Sequence, residues 1–217
     1  MSSMTSLDKP AKNREKASQI RTYSRAESVV FFRTKEAFGG LSNMASGYPL
    51  NINGIEVPSS EGLYQACRFT HLPAVQEEII RQSSPMNAKA VSSEWRSKTR
   101  ADWLAIRVTA MRWCLRVKAL QNKDTFLQLL LSTGSRPIVE LSRRDDFWGA
   151  LEVTPGTLTG RNVLGRLLME LRAEYDADSD SLNDVAPPNI KDFALFGQPV
   201  ETVNGATKAI AQQAKLC

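Results

Sequence analysis

One carboxylate, Glu61, stands in the first turn of a predicted helix, after serines suited to capping it. Gln65 and Arg68 follow at steps of four and three residues, so the three side chains share one helical face. Glu61 is therefore a candidate for chemistry on a ligand. The alternative is a purely structural role, in which the negative charge of Glu61 interacts favourably with the helix dipole. Such an interaction is worth roughly 0.3–1 kcal/mol. The spacing alone leaves both interpretations open.

Residues 145–149 place two acids, Phe147, Trp148 and a glycine where neither a helix pattern nor a strand pattern runs. Aromatic rings stack on a purine or pyrimidine, and acids can hydrogen-bond ribose hydroxyls or activate water. Together with Glu61, this loop indicates a site for a flat, charged ligand. A loop pinned into the core by Trp148 is the alternative interpretation.

Three more charged candidates lie in the longest predicted helix, which we expect to begin near Thr99. Asp102 occupies the third position after Thr99, where the acid of a capping box stands. Arg107 follows Trp103 by one turn and borders the apolar stripe, so its charge must be paired or face a ligand. Lys118 borders the same stripe, and a snorkelling side chain is an equal interpretation of it.

The composition excludes several other kinds of chemistry. The single histidine, His71, and the lack of any H-E-x-x-H or C-x-x-C spacing argue against a metal centre or a catalytic triad. We therefore expect an all-carboxylate mechanism without a cofactor, to which a magnesium ion could be added only through phosphates. The three cysteines are scattered and odd in number, which favours a cytoplasmic protein. The net charge of +5 is compatible with phosphate-bearing ligands, but the basic residues form no block.

The elements that must position these residues predict an α+β fold made mostly of helices with a few short strands. A strand is expected at 29–32, a hairpin at Asn53-Gly54 and a buried strand at 137–141. No apolar run is long enough to span a bilayer. We predict a disordered arm at 1–22, a catalytic domain at 23–178, and a loosely packed or disordered tail at 179–217. The remaining helices are expected to begin after Ser59, at Val75, after Ser84, at Asp124 and after Asn162.

Several of these segments, in this order, resemble the NADAR family, whose relatives include the YbiA-like N-glycosidases. Each motif alone is loose, but their order and spacing over about residues 27–175 make a specific signal. The matching stretches are 38–43, 60–69, 100–103, 118–122, 133–134 with 139–140, 146–149 and 160–172.

The resemblance implies a domain that cleaves the N-glycosidic bond at C1 of a phosphorylated ribose. Its leading expectation is release of ADP-ribose from a nucleobase, particularly guanine in DNA or nucleotides, as the antidote to a DarT-like ADP-ribosyltransferase. The alternative enzyme hydrolyses ribosylamino-pyrimidine phosphates of riboflavin synthesis. A third alternative is a non-catalytic module that binds ADP-ribose or NAD. The expected partners are thus an ADP-ribose or ribose-phosphate ligand and ADP-ribosylated DNA, with no membrane.

Catalytic roles follow from the same resemblance. A fixed carboxylate near C1 stabilises an oxocarbenium-like transition state, and a second acid or base positions water. Glu61 is expected to be the principal carboxylate, with Asp146 or Asp102 holding water or ribose hydroxyls. Trp148 is expected to form the stacking wall, with Trp103 in reserve.

Ligand contacts are implied for further residues in the matching motifs. Arg100, Arg107 and Lys89 are the expected phosphate partners, because guanidinium forks match phosphate oxygens. Asn43 and Asn162 are expected to contact the ribose. The other ligand-side candidates are Arg68, Lys118 and Gly149.

The chain departs from this family pattern at two positions. Relatives often carry histidine or a bulkier residue after the glutamate, where this chain has Gly62 and Leu63. If that histidine helps to protonate the leaving base, another acid must serve here. Arg68 stands where lysine is common.

Overall fold

The computed structural model describes residues 19–205 of the chain. This range contains six α-helices and eleven short β-strands. The predicted α+β class is confirmed. The helices are α1 (Ser60–Ala66), α2 (Pro73–Ile80), α3 (Pro85–Glu94), α4 (Trp103–Gln121), α5 (Gln128–Leu131) and α6 (Val163–Ala177). Short 3₁₀ turns cover Gly39–Leu41, Cys67–Phe69, Arg96–Lys98 and Ser179–Leu182, and a π turn covers Lys123–Leu127.

The strands form five small sheets within this range. The pair β2 (Val29–Phe31) and β5 (Ile138–Glu140) is parallel and aligns Phe31 with Glu140. The other four sheets are antiparallel: β3 (Leu50–Ile52) with β4 (Ile55–Val57), β1 (Arg21–Ser24) with β7 (Thr157–Gly160) and β6 (Leu151–Thr154), β8 (Asp184–Val185) with β11 (Val203–Asn204), and β9 (Ala194–Leu195) with β10 (Gln198–Pro199).

Local sequence signals produce the elements that surround α1. Asn53 and Gly54 both have positive φ, 51° and 81°, as a two-residue type I′ turn requires, so the predicted β3–β4 hairpin is confirmed. The Ser59 hydroxyl accepts a hydrogen bond from the Gly62 N–H at 3.1 Å, which confirms the serine cap of α1. This cap fixes where α1 begins and therefore where Glu61 lies.

The start of the longest helix differs from the prediction. α4 begins at Trp103 and not near Thr99, and no side chain caps it. Asp102 does not form a capping box, because its carboxylate is bound by the Arg100 guanidinium. The helix itself packs against α1 and α6 and contributes much of the hydrophobic core.

The predicted loosely packed tail is wrong for residues 179–205. Leu182, Phe193 and Leu195 are buried in the same core cluster as α1 and α4, and Phe193 packs edge-on against Trp113 at 5.0 Å. The segment is held by two-residue strands, which leave no periodic pattern in the sequence. The predicted arm also ends earlier than expected, because Arg21 already belongs to β1. Residues 1–18 and 206–217, which carry the rest of both predictions, lie outside the described residues.

No helix among residues 19–205 is long and apolar enough to cross a membrane. Cys67 and Cys114 are free, buried thiols, and burial raises the pKa of Cys114 well above its ordinary value. Cys217 lies outside the described residues.

Candidate functional site

A buried carboxylate held by two amides forms the centre of the candidate site. Glu61 is 5% exposed, and its two oxygens accept hydrogen bonds from Asn43 Nδ2 at 2.6 Å and Gln65 Nε2 at 2.7 Å. Hydrogen bonds that a charged carboxylate accepts are among the stronger hydrogen bonds in proteins. The side chain is therefore fixed in position, which a solvated helix-dipole partner would not be. Asn43 Oδ1 is buried without a hydrogen-bond partner beside it.

A second layer fixes the orientation of Gln65. Its Oε1 accepts hydrogen bonds from Ser92 Oγ at 2.5 Å and from an Arg68 guanidinium nitrogen at 3.1 Å. Arg68 also donates to Thr99 Oγ1 at 3.0 Å. Because both donors face Oε1, the amide must turn its NH₂ group toward Glu61. Arg68 thus supports the carboxylate through Gln65.

Aromatic side chains line the neighbouring surface. Tyr64 lies three residues after Glu61, and its ring centroid is 5.1 Å from that of Trp103 and 5.7 Å from that of Trp148. Phe147 packs edge-on against Trp148 at 5.1 Å. Trp103 is buried, whereas Phe147 and Trp148 are half-buried. The 145–149 loop is therefore packed on the core, as one interpretation predicted, and its aromatic side chains stay partly exposed. The ligand-binding interpretation of the loop stays a prediction.

Two cations border this aromatic surface. The Arg107 guanidinium carbon lies 3.7 Å from the centroid of the Phe147 ring, and its Nε is buried without a hydrogen-bond partner. Burial raises the pKa of Tyr64, the Glu61 charge adds to that rise, and the Arg107 charge opposes it. Lys89 is exposed on α3. Arg107 thus lies against the Phe147 ring, and its predicted contact with a ligand stays a prediction.

A second carboxyl, Glu140, interacts electrostatically with Glu61 and was not among the predicted site residues. It ends β5 and is half-buried. Its pKa is raised to about 7, first by burial and then by the negative charges of Asp145 and Glu61, while Lys89 acts in the opposite direction. Glu140 and Glu61 therefore lie within each other's electric field. In the described part of the chain, no side chain donates a hydrogen bond to the Glu140 carboxyl.

The backbone around Glu140 is held closely. Its N–H donates to Asn162 Oδ1 at 3.1 Å, and its carbonyl accepts from the Ala150 N–H at 2.8 Å. A Cβ at Gly149 would lie 2.5 Å from the Glu140 carbonyl oxygen, so only glycine allows this approach. The turn that carries Trp148 is thereby packed onto the end of β5, and Trp148 in turn contacts Tyr64 on α1. These contacts link the Glu140 strand to the Glu61 helix.

Residues 30–175 match the family model described as the NADAR domain. The chain belongs to the NADAR family. It is 33% identical to the N-glycosidase YbiA of Escherichia coli over 159 residues, which cover 73% of this chain and 95% of that protein. The NMR structure of Escherichia coli YbiA has a TM-score of 0.61 and 32% identity, covering 70% of this chain and 88% of that one.

Another NADAR relative carries a different description. The riboflavin biosynthesis protein VVA0006 of Vibrio vulnificus is 36% identical over 176 residues, covering 80% of this chain. The chain spans only 44% of the length of that protein. The predicted family is confirmed, and so is the predicted enzyme class, an N-glycosidase.

Two acids predicted as the second carboxylate of this NADAR site are engaged elsewhere. Asp102 forms a two-pronged ion pair with Arg100 at 2.6 and 3.0 Å, which lowers the pKa of Asp102. Asp146 pairs with Arg161 at 3.0 Å, and its side chain is 47% exposed. The sequence placed both acids in matching motifs but gave no sign of these ion pairs.

Arg100 is likewise occupied by the protein. Besides Asp102, its guanidinium donates to Thr70 Oγ1 at 2.8 Å and to the Lys191 carbonyl at 2.7 Å. Its side chain is only 9% exposed. The structure thus uses Arg100 to tie the start of α4 to the C-terminal segment, and the predicted phosphate contact would require these bonds to break.

Three other predicted ligand contacts are buried supports in this structure. Lys118 is fully buried, and its Nζ donates to the carbonyls of Gly40 and Ser42 at 2.9 and 3.0 Å. Asn162 is also fully buried and joins Ile138 to Glu140 instead of capping α6 with its side chain. Gly149 lies under the Glu140 carbonyl. In this conformation the side chains of Lys118 and Asn162 do not face a ligand, and Gly149 has no side chain.

Gly62, one of the two residues that stand where the expected family pattern differs, is buried. A Cβ there would lie 3.3 Å from Ser59 Oγ and 3.9 Å from Ala88 Cβ on α3. The capping hydroxyl and α3 therefore border the position of Gly62, which itself offers no side chain to a leaving base.

Proposed function

We propose that this NADAR protein is an N-glycosyl hydrolase that cleaves the ribosyl C1–N bond of an ADP-ribosylated nucleobase, with guanine in DNA or nucleotides as the leading substrate. The observation that carries the proposal is the Glu61 carboxylate, buried and clamped by Asn43 and Gln65. A fixed negative charge of this kind stabilises the oxocarbenium-like transition state without having to reorganise. Loss of the base and addition of water at C1 would then release ADP-ribose.

The surroundings of Glu61 support a ligand with a base and phosphates. Half-buried Phe147 and Trp148 offer faces or edges for a purine. Arg107, which lies against Phe147, and exposed Lys89, whose charge acts on Glu140, are the cations proposed for the phosphates of ADP-ribose. The unpaired Asn43 Oδ1 is an acceptor suited to a ribose hydroxyl.

Hydrolysis of ribosylamino-pyrimidine phosphates is the second candidate. It is supported by the names of two relatives, the Vibrio protein and the chloroplastic riboflavin biosynthesis protein PYRR of Zea mays, which is 31% identical over 161 residues. Both candidate reactions use the same carboxylate at C1. Their substrates differ in the leaving base and in the number of phosphates, which is one in the pyrimidine phosphate and two in ADP-ribose. A DarT-like ADP-ribosyltransferase gene nearby would favour the first candidate.

The test compares the protein and its Glu61→Gln variant on both substrate classes. We expect the protein to release guanine from ADP-ribosylated DNA, followed by mass spectrometry. Glu61→Gln should lower kcat by at least about 1,000-fold, because it removes the charge opposite the transition state. Binding of ADP-ribose, measured by calorimetry, should survive.

The control is Glu77→Gln, the same change at an exposed residue of α2 that pairs with Arg81. Equal turnover by the protein and its Glu61→Gln variant would refute the assignment of Glu61. Turnover of the pyrimidine phosphate alone would favour the second candidate, and binding without any turnover would favour a non-catalytic module.

A further inference from the structure

The proposed reaction leaves one proton unassigned. When the C1–N bond breaks, its electron pair stays on the amine nitrogen of the departing base, and that nitrogen must gain a proton. Gly62 has no side chain to supply it. Clamped Glu61 already accepts two hydrogen bonds. Asp102 and Asp146 are bound as ion-pair partners of arginines.

We propose that Glu140, at the end of β5, is the general acid that protonates the leaving base of the Glu61 site. This inference rests on the proposed function and names a further catalytic residue for it. The carboxyl is half-buried, and no side chain of the described residues hydrogen-bonds to it. It is carried on a strand whose end is fixed by Asn162 and by the close approach of Gly149.

The surroundings of Glu140 keep about half of it in the acid form at neutral pH. Burial, together with the charges of Asp145 and Glu61, raises its pKa to about 7. Lys89, on α3, is the cation that opposes them. An acid with a pKa near the working pH is the most effective proton donor. Two carboxyls with such different surroundings are typical of an acid and a charged stabiliser in one site.

The proton balance of the step is complete. The Glu140 proton moves to the leaving amine as the C1–N bond breaks, and Glu140 becomes a carboxylate. Water then adds to C1 and gives one proton back to the Glu140 carboxylate, which restores the acid. The products are the free base and the ribose hydroxyl, with no oxidant, reductant or metal needed.

The experiment compares two conjugates of ADP-ribose at C1, one with guanine and one with 4-nitrophenol. The phenolate is stable and leaves without a proton, so it does not need Glu140. We expect Glu140→Gln to lower kcat/KM on the guanine conjugate by at least about 100-fold. On the 4-nitrophenol conjugate the loss of kcat/KM should be less than about 5-fold, because the variant lacks only an acid that this leaving group does not need.

A pH profile gives a second readout that a structural role would not move. The kcat/KM of the unmodified protein on the guanine conjugate should fall above about pH 7, as Glu140 loses its proton. Glu140→Gln should lack this fall. Glu140→Asp, which keeps an acid at shorter reach, should retain both the fall and part of the activity.

Circular dichroism confirms the fold of each variant, and Glu77→Gln again serves as the matched control. Equal losses on both conjugates, or an unchanged pH profile in Glu140→Gln, would overturn the role of Glu140 while the proposed function stands. An unmodified protein inactive on both conjugates would instead refute the proposed function, and the role of Glu140 with it.

Discussion

Lys118 provides a quantitative test of how the site is held together. Its fully buried ammonium donates to the carbonyls of Gly40 and Ser42, and its Nζ lies 4.4 and 4.2 Å from the ring centroids of Tyr48 and Phe126. Burial lowers the pKa of Lys118 from 10.5 to about 7. The lysine therefore anchors the segment that leads directly into Asn43, at the expense of a buried charge.

The lowered pKa makes the free energy of unfolding depend on pH. Between about pH 7 and pH 10.5 the unfolded chain keeps the Lys118 proton and the folded protein releases it, so stability rises with pH. One pH unit adds up to about 1.4 kcal/mol. From about pH 6 to about pH 9, the gain attributable to Lys118 is roughly 2–3 kcal/mol.

The perturbation is Lys118→Met, which keeps most of the volume and cannot titrate. Each carbonyl left without its donor costs about 1–3 kcal/mol, so the variant should be less stable at every pH. The deficit should be roughly 2–3 kcal/mol larger at pH 9 than at pH 6. Urea unfolding followed by tryptophan fluorescence measures it, with exposed Lys98→Met as the control. A deficit independent of pH would refute the reasoning, because it would mean that Lys118 does not change its proton between these conditions.

Two other predictions address the clamp and the C-terminal segment. Asn43→Ala removes one of the two donors to Glu61 and the acceptor proposed for a ribose hydroxyl, so it should lower kcat/KM by about 100-fold, with a fall in kcat. Steady-state kinetics measure it, and a rise in KM with kcat unchanged would contradict the role of Asn43 in holding Glu61. Leu195→Ala opens a cavity in the core and should cost about 2–5 kcal/mol in urea unfolding. A cost below about 0.5 kcal/mol, as at a surface position, would mean that this segment is loosely attached.

The parts of the fold that were predictable from sequence are those set by neighbouring residues. The Asn53-Gly54 turn and the Ser59 cap depend on backbone preferences within four residues, and both have the expected geometry. Glu61 was singled out for the same reason, because its place in the first turn of α1 follows from the cap. Its two donors lie four and eighteen residues away, and only the nearer one, Gln65, shares a predicted helix face with it.

The parts that were not predictable depend on contacts between distant segments. Asp102 stood where a capping-box acid belongs, but Arg100 binds it, and that pair also reaches the segment near Lys191. The C-terminal segment is buried through strands of two residues, too short to show alternation. Glu140 could have been noticed only as an acid that ends an otherwise apolar strand in a matching motif. Its approach to Glu61 requires the β2–β5 pair and the turn at Gly149.

The contrast between the two carboxyls explains how the proposed reaction can proceed with a glycine next to Glu61. Glu61 comes from a helix start, and its two oxygens accept hydrogen bonds from two amides. Glu140 comes from a strand end and receives no side-chain donor among the described residues, so burial favours its neutral form. Glu61 lies on α1 beside Gly62, whereas Glu140 ends β5, a separate element of the fold. With the proton donor proposed on β5, the reaction requires no side chain at position 62.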